Sequence, residues 1–290
     1  MKILVTGASG QLGMSIREAS FGSDHEFVFT DVVADSGDAV LDVTDEDAVT
    51  EFVSKGGFAA IVNCAAYTDV DKAESDQENA RKLNALAPGI LAKAAAGSGA
   101  LLIHISTDYV FDGTACRPYC EDAEAVPVNV YGRTKLEGEN AVKASGCRYL
   151  ILRTSWMYGN YGRNFFRRMV ELTAECSELK VVSDQIGTPT WASDLAEAVV
   201  AILDSGKDYE SGVYNYSGEG VCSWYDFAKE ICSGVGHLCD IKPCLTEDYP
   251  TAARRPAFSV LDKTKFKNTF GIEIPHWRES LMCCINLRQE

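Results

Sequence analysis

The sequence predicts an α/β fold, a doubly wound parallel sheet with a smaller C-terminal lobe. Three observations carry this. Short β-rich apolar runs alternate with helical stretches through the first half of the chain, the pattern of strands covered by helices on both faces. The first run ends in a glycine-rich turn that opens a helix. The second ends on an acidic residue, Asp31.

Taken in order, residues 2–6 read as the first strand and about 11–20 as a helix. Residues 26–30 form the second strand, ending at Asp31. Residues 45–55 read as a helix, with Asp45 and Glu46 suited to its positive N-terminal end. Residues 59–63 are the third strand, and 76–97 carry Ala and Leu at helical spacing. Residues 100–105 are the fourth strand, 130–145 a helix, and 148–153 the fifth strand. After about residue 155 the alternation becomes irregular. Helical patterns recur at 162–173, 193–204 and 223–234, with short strands near 180–182 and 213–216. The domain expectation is a sheet domain over 1–153, with parts of about 188–217 returning to it. Residues 154–290 then make a smaller, interleaved lobe.

Composition narrows the function. Lys and Arg number 27 against 42 Asp and Glu, a net charge of −15, which repels nucleic acid and anionic membranes. No apolar run reaches the roughly 18–20 residues of a membrane span, and Gly7 follows the first strand too soon for a signal peptide. The 11 cysteines lack Cys-x-x-Cys or zinc spacing and read as reduced thiols, Cys64, Cys222 and Cys232 among them in apolar settings. These features together predict a cytoplasmic location.

The glycine run Gly7, Gly10, Gly13 supplies a tight turn, close approach of backbone to a pyrophosphate and close helix–strand packing. It makes the fold a Rossmann-type, nicotinamide-binding one. Asp31, 18 residues after Gly13, suits the adenosine ribose and tilts toward NADH; Arg17 one turn into the helix offsets that. Asp42 and Val43 suit an adenine contact, with a helix cap as the other reading of Asp42. Tyr131-x-x-x-Lys135 places a phenol and an ammonium one helical turn apart, so the ammonium is expected to lower the phenol's pKa toward use as an acid. Ser106 and Thr107, at the carboxyl end of the fourth strand, stand where open sheets bind ligands. Arg254 and Arg255 are candidates for a diphosphate on charge grounds. The four His, at 25, 104, 237 and 276, have no ligand spacing; His104 reads as a core or cleft residue.

Glycine turn, Ser/Thr after the fourth strand and Tyr-x-x-x-Lys together resemble the extended short-chain dehydrogenase/reductases. The stretches 63–74, 106–113, 129–135, 153–159, 187–190 and 255–262 narrow the resemblance to the dTDP-4-dehydrorhamnose reductases, through nearly the whole chain. That resemblance implies reduction of the 4-keto group of dTDP-4-dehydro-β-L-rhamnose by NADPH or NADH, giving dTDP-L-rhamnose. It implies Tyr131 as proton donor, Lys135 tuning Tyr131 and holding the nicotinamide ribose, and Thr107 bonding the reacting oxygen. Asp108, Trp156 and Asn164 would line the sugar site. Gly10, Gln11, Leu12, Asp31, Asp42, Val43, Ala65, Ala66 and Tyr67 fall at cofactor positions. Some members are magnesium-dependent dimers bridged by carboxylates, one of them a Glu early in the first helix. Ser15 stands in its place, so neither the metal nor that dimer is expected; a monomer or weak homodimer acting on a small nucleotide sugar is. Two other readings are a non-catalytic relative of the methionine adenosyltransferase regulatory subunit and a different nucleotide-sugar reductase or epimerase.

Overall fold

A computed structural model of the chain describes residues 1–33 and 38–289. Its main sheet is built from β1 (Lys2–Thr6), β2 (Glu26–Asp31), β3 (Ala39–Val40), β4 (Ala60–Asn63), β5 (Leu101–Thr107), β6 (Arg148–Thr154) and, much later in the chain, Gly212–Asn215. Three small two-stranded pairings use β7 (Met157–Tyr158), β8 (Glu178–Val182), β9 (Ile186–Gly187), β10 (Thr190–Trp191), β12 (Cys222–Ser223) and β13 (Asp240–Cys244), with Gly212–Asn215 as β11. The main sheet is wholly parallel in the order β11-β6-β5-β4-β1-β2-β3. Connections leave β1 in opposite directions, so a crevice opens between the carboxyl ends of β1 and β4, the place where such sheets bind ligands.

Alternation along each strand divides the core. Ile3 and Val5 of β1 face one side, with α1 (Gln11–Ala19) and α8 (Ala192–Asp204), through Leu12, Ile16, Leu195 and Val199. Leu4 faces the other side, with Val49 and Val53 of α2 (Glu46–Gly56) and Leu91 and Ala95 of α5 (Ala87–Ser98). Each such aliphatic side chain, fully buried, contributes about 1.5–3 kcal/mol. Asp45 caps α2 by accepting from the Ala48 amide, as its charge pattern predicts.

The helix expected over 76–97 is broken. After α3 (Val70–Ala73), α4 (Gln77–Arg81) runs into a π turn at Lys82–Leu86 before α5 begins. Pro88 explains this: it has no amide proton for the Asn84 carbonyl, and its ring would strike that carbonyl in a regular helix. The carbonyl is instead met by α6 (Val130–Ala144) at Gly138, where a Cβ would lie 2.1 Å from the Asn84 oxygen. The Asn84 side chain accepts from the Tyr67 amide at 2.8 Å and donates to its carbonyl at 3.0 Å, fixing the segment that follows β4.

A second core lies beside the sheet. It joins α7 (Phe165–Glu175), α9 (Trp224–Gly234) and α11 (Trp277–Gln289) through Phe166, Phe227, Ile231, Trp277 and Leu281. The strand expected near 180–182 belongs here, as β8 paired in parallel with β13. The strand expected at 213–216 is β11, at the edge of the main sheet. A further return, which the sequence pattern does not announce, comes from α10 (Thr264–Phe270), whose Phe266 and Phe270 enter the sheet core. All 11 cysteines are free thiols; Cys222 and Cys232 are buried, whereas Cys64 is only partly so.

Candidate active site

One cleft of about 1130 Å³ opens over the carboxyl ends of β1, β4, β5 and β6. It is built from the glycine turn outward. Gly7 adopts a left-handed φ of 70°. Gly13 packs so closely that a Cβ there would sit 2.4 Å from the Gly7 carbonyl oxygen. Gly13→Ala is therefore expected to force the turn apart and to cost about 1–3 kcal/mol, read by thermal or denaturant unfolding. Gly10 caps α1 with extended backbone and no side-chain bond, which leaves the first amides of the helix pointing at the cleft. Asp31 accepts from the Ser9 amide at 2.9 Å and from Val32 at 2.8 Å, so the end of β2 is tied to the turn. Arg17 is engaged elsewhere: it pairs with Asp38 at 2.6 Å and lies over the Phe29 ring.

Thr107 closes β5, and its hydroxyl accepts from the Tyr109 amide at 3.1 Å. Tyr131 and Lys135 project from α6 into the same cleft. The helix starts where it does because Asn129 caps it, accepting from the Gly132 amide at 2.7 Å, while Glu74 accepts from the Val130 amide at 2.8 Å. Burial pushes the Tyr131 phenol up to about 12, with the Thr107 hydroxyl pulling the other way. This corrects the expectation that Lys135 lowers it: burial governs, and Tyr131 is a fully protonated phenol at neutral pH. The Lys135 ammonium donates to the Ile105 carbonyl at 2.6 Å, and burial lowers it to about 8 against the pull of Glu139 and Cys64. Asp108 is raised to about 7 by burial, with Ser259 and Thr107 opposing the rise. His104, fully buried on β5, accepts from the Asn63 side-chain amide through Nδ1 at 3.1 Å and lies in the core.

Gly10, Gln11, Leu12, Ala66, Thr107, Asp108, Tyr131, Lys135, Trp156, Asn164 and Arg255 all line this cleft. Ala65 and Tyr67 flank Ala66, their amides held by Asn63 and Asn84. Asp42 and Val43 lie outside the lining: Asp42 accepts from the amide and hydroxyl of Thr44, and Val43 is buried in the core. Two residues read as substrate contacts have their polar groups spent on protein. The Asn164 amide donates to Gln11 at 2.6 Å and to the carbonyls of Gly159 and Tyr161, while its oxygen caps α7. Arg255 forks onto Asp71 at 2.7 and 3.1 Å. Arg254 is exposed and outside the lining.

Trp156 has a left-handed φ of 46°, and its ring stacks on Trp224 with centroids 3.6 Å apart. A strained non-glycine residue in a cleft costs about 1–3 kcal/mol and persists where packing holds it, here against Gly187 and Trp224. Sequence reasoning missed Cys64, Asp71, Arg163, Arg168, Lys180, Trp224 and Tyr249 in the cleft wall. Asp71 stands inside the 63–74 stretch; the three cations have no spacing that marks them.

The model described as the RmlD substrate binding domain matches residues 1–289. A dTDP-4-dehydrorhamnose reductase of Sinorhizobium fredii is 41% identical over 288 residues, 97% of this chain and 95% of that one.

The chain belongs to the dTDP-4-dehydrorhamnose reductase family.

Solved structures of that family superpose throughout. The reductase of Clostridium acetobutylicum gives a TM-score of 0.94 at 44% identity, covering 100% of both chains. The Bacillus anthracis reductase in complex with NADP gives 0.92 at 36% identity, covering 99% of each. The family's fold is this one, a Rossmann-type parallel sheet with a second core at its carboxyl edge.

Proposed function

We propose that the chain reduces the 4-keto group of dTDP-4-dehydro-β-L-rhamnose with NADPH or NADH, giving dTDP-L-rhamnose, with Tyr131 as proton donor. The observation that carries this is the convergence of Thr107, Tyr131 and Lys135 on one cleft beside the glycine turn. The turn fits a dinucleotide: its glycines leave a cradle that a side chain would fill, and the uncapped amides of α1 face it. Gly7, Gly10, Gln11, Leu12, Gly13, Asp31 and Ala66 would hold the cofactor, with Lys135 at its nicotinamide ribose. When bound, the cofactor supplies a hydride.

The chain's own residues do the rest. Tyr131, protonated at working pH, gives its proton to the C4 oxygen. The Thr107 hydroxyl bonds the same oxygen, so both groups act where negative charge grows and stabilise the transition state more than the ketone. Lys135, held on the Ile105 carbonyl, would keep its ammonium at the nicotinamide ribose. Asp108 and Trp156 face the sugar. Arg163, Arg168 and Lys180 are the cations on the wall for a diphosphate. In this reading the 1–153 unit, with about 188–217 returning, holds the cofactor, and 154–290 the sugar nucleotide. In this reading no magnesium bridge is expected through Ser15, which is buried and donates to the Gln11 carbonyl at 3.1 Å.

The test generates the dTDP-4-keto sugar in situ and follows nicotinamide absorbance with purified protein. Oxidation of NADPH or NADH dependent on the sugar is expected, and the two rates rank the cofactors. No oxidation of either overturns the reading.

A further inference from the structure

Residues 249–255 cross the mouth of the cleft as a strap. On one side, Thr246 is anchored to Asp184, with the carboxylate accepting from its amide at 2.9 Å and its hydroxyl at 2.7 Å. On the other, Ala257 and Ser259 pair with Ile186 through backbone bonds. Between these anchors Tyr249, Pro250, Thr251, Ala252 and Arg255 form part of the cleft wall.

The strap's hold on the sheet side of the cleft comes chiefly from one carboxylate. Asp71, in the first turn of α3, accepts from the Ala253 amide at 2.9 Å and from both terminal nitrogens of Arg255. The Arg255 fork holds the Asp71 carboxyl below the usual carboxylate range, so the pair is ionised near neutrality. Arg255 also reaches Tyr109, whose ring meets Tyr131 edge-on with centroids 5.9 Å apart. The start of α6 is tied to the same junction, since the Asn129 side chain donates to the Arg254 carbonyl at 2.8 Å. One polar junction thus joins strap, α3 and the helix that carries Tyr131.

We propose that Asp71 and Arg255 are positioning residues, a latch that fixes the 249–255 strap over the sugar-nucleotide side of the cleft. Arg255 acts by holding the wall, not by binding the diphosphate directly. This rests on the reductase reading for its substrate. The latch itself has a readout independent of turnover.

The experiment compares wild type with Asp71→Ala, Asp71→Asn and Arg255→Lys. Amide hydrogen exchange over 249–255 is expected to quicken by about tenfold or more in Asp71→Ala and less in Asp71→Asn, which keeps an acceptor. The KM for the keto sugar is expected to rise by about the same factor, with kcat and cofactor affinity little changed. Arg255→Lys, which keeps the charge and loses the fork, is expected to fall between wild type and Asp71→Ala. Exchange over 249–255 that matches wild type in Asp71→Ala overturns the latch. So does a loss confined to kcat or to cofactor binding. If wild type itself reduces no keto sugar, the reductase reading falls, and the exchange measurement still decides the latch.

Discussion

Tyr131→Phe is expected to lose turnover by about 10²–10⁴-fold while binding cofactor like wild type. The phenol is the acid, and phenylalanine keeps the ring and its edge-on contact with Tyr109. What remains is the Thr107 hydroxyl and the positioning of the reactants. Steady-state rates with the keto sugar, together with a cofactor titration, check this. Turnover like wild type would take the acid role from Tyr131. The pH profile separates the two members of the pair. Tyr131 keeps its proton until about 12, whereas Lys135 loses its own near 8. Turnover is therefore expected to fall as pH rises through about 8, because the ammonium proposed at the nicotinamide ribose is lost there. A rate that holds steady well above that value would remove the Lys135 charge from the reaction.

Glu139→Ala is expected to be the most destabilising change in the sheet domain, by about 3–5 kcal/mol. Glu139 is wholly buried two turns after Tyr131. It receives Nε of Arg153 at 2.8 Å, its Nη2 at 2.7 Å, and the Ser106 hydroxyl at 2.7 Å. Removing the carboxylate leaves the buried Arg153 guanidinium with the Glu121 carbonyl and the face of the Phe111 ring. Burial pushes the Glu139 carboxyl upward, yet Arg153, Ser106 and Lys143 together hold it below its ordinary value. The sign follows. A lowered folded pKa contributes stability that is present above the unfolded carboxylate value and lost as pH falls through the folded one. Wild type is thus expected to lose stability on acidification, and the variant to lack that component. Denaturant unfolding at neutral and acid pH measures both. A midpoint unchanged by the substitution would show that the pair is not a structural charge.

The sheet and the centre of the site were legible in the sequence because both obey local rules. Strands buried on two faces read as apolar runs, and Gly7, Gly10 and Gly13 are residues that only a close backbone approach requires. Thr107, Tyr131 and Lys135 were legible through their place after particular strands. What failed was non-local. Pro88 broke a helix that composition favoured, and the displaced Asn84 carbonyl packs against Gly138, more than fifty residues on. Cys64 read as a core thiol because its neighbours are apolar, yet β4 ends just before it and leaves it on the cleft wall. Nothing local in the sequence marks Glu121, yet it accepts from the Asn215 amide of β11. The charges were hardest. Nothing in the order of residues says that Arg255 meets Asp71 or that Arg17 meets Asp38, so a guanidinium read as free for a ligand was already engaged.

The parallel indoles of Trp156 and Trp224 have one more consequence. Rings this near and this nearly parallel, with centroids 3.6 Å apart and planes 9° from each other, couple their electronic transitions. The wall of the cleft therefore carries its own optical signal, a split circular-dichroism band that replacing either tryptophan would abolish. Any molecule that pries the pair apart would register in that band without a label.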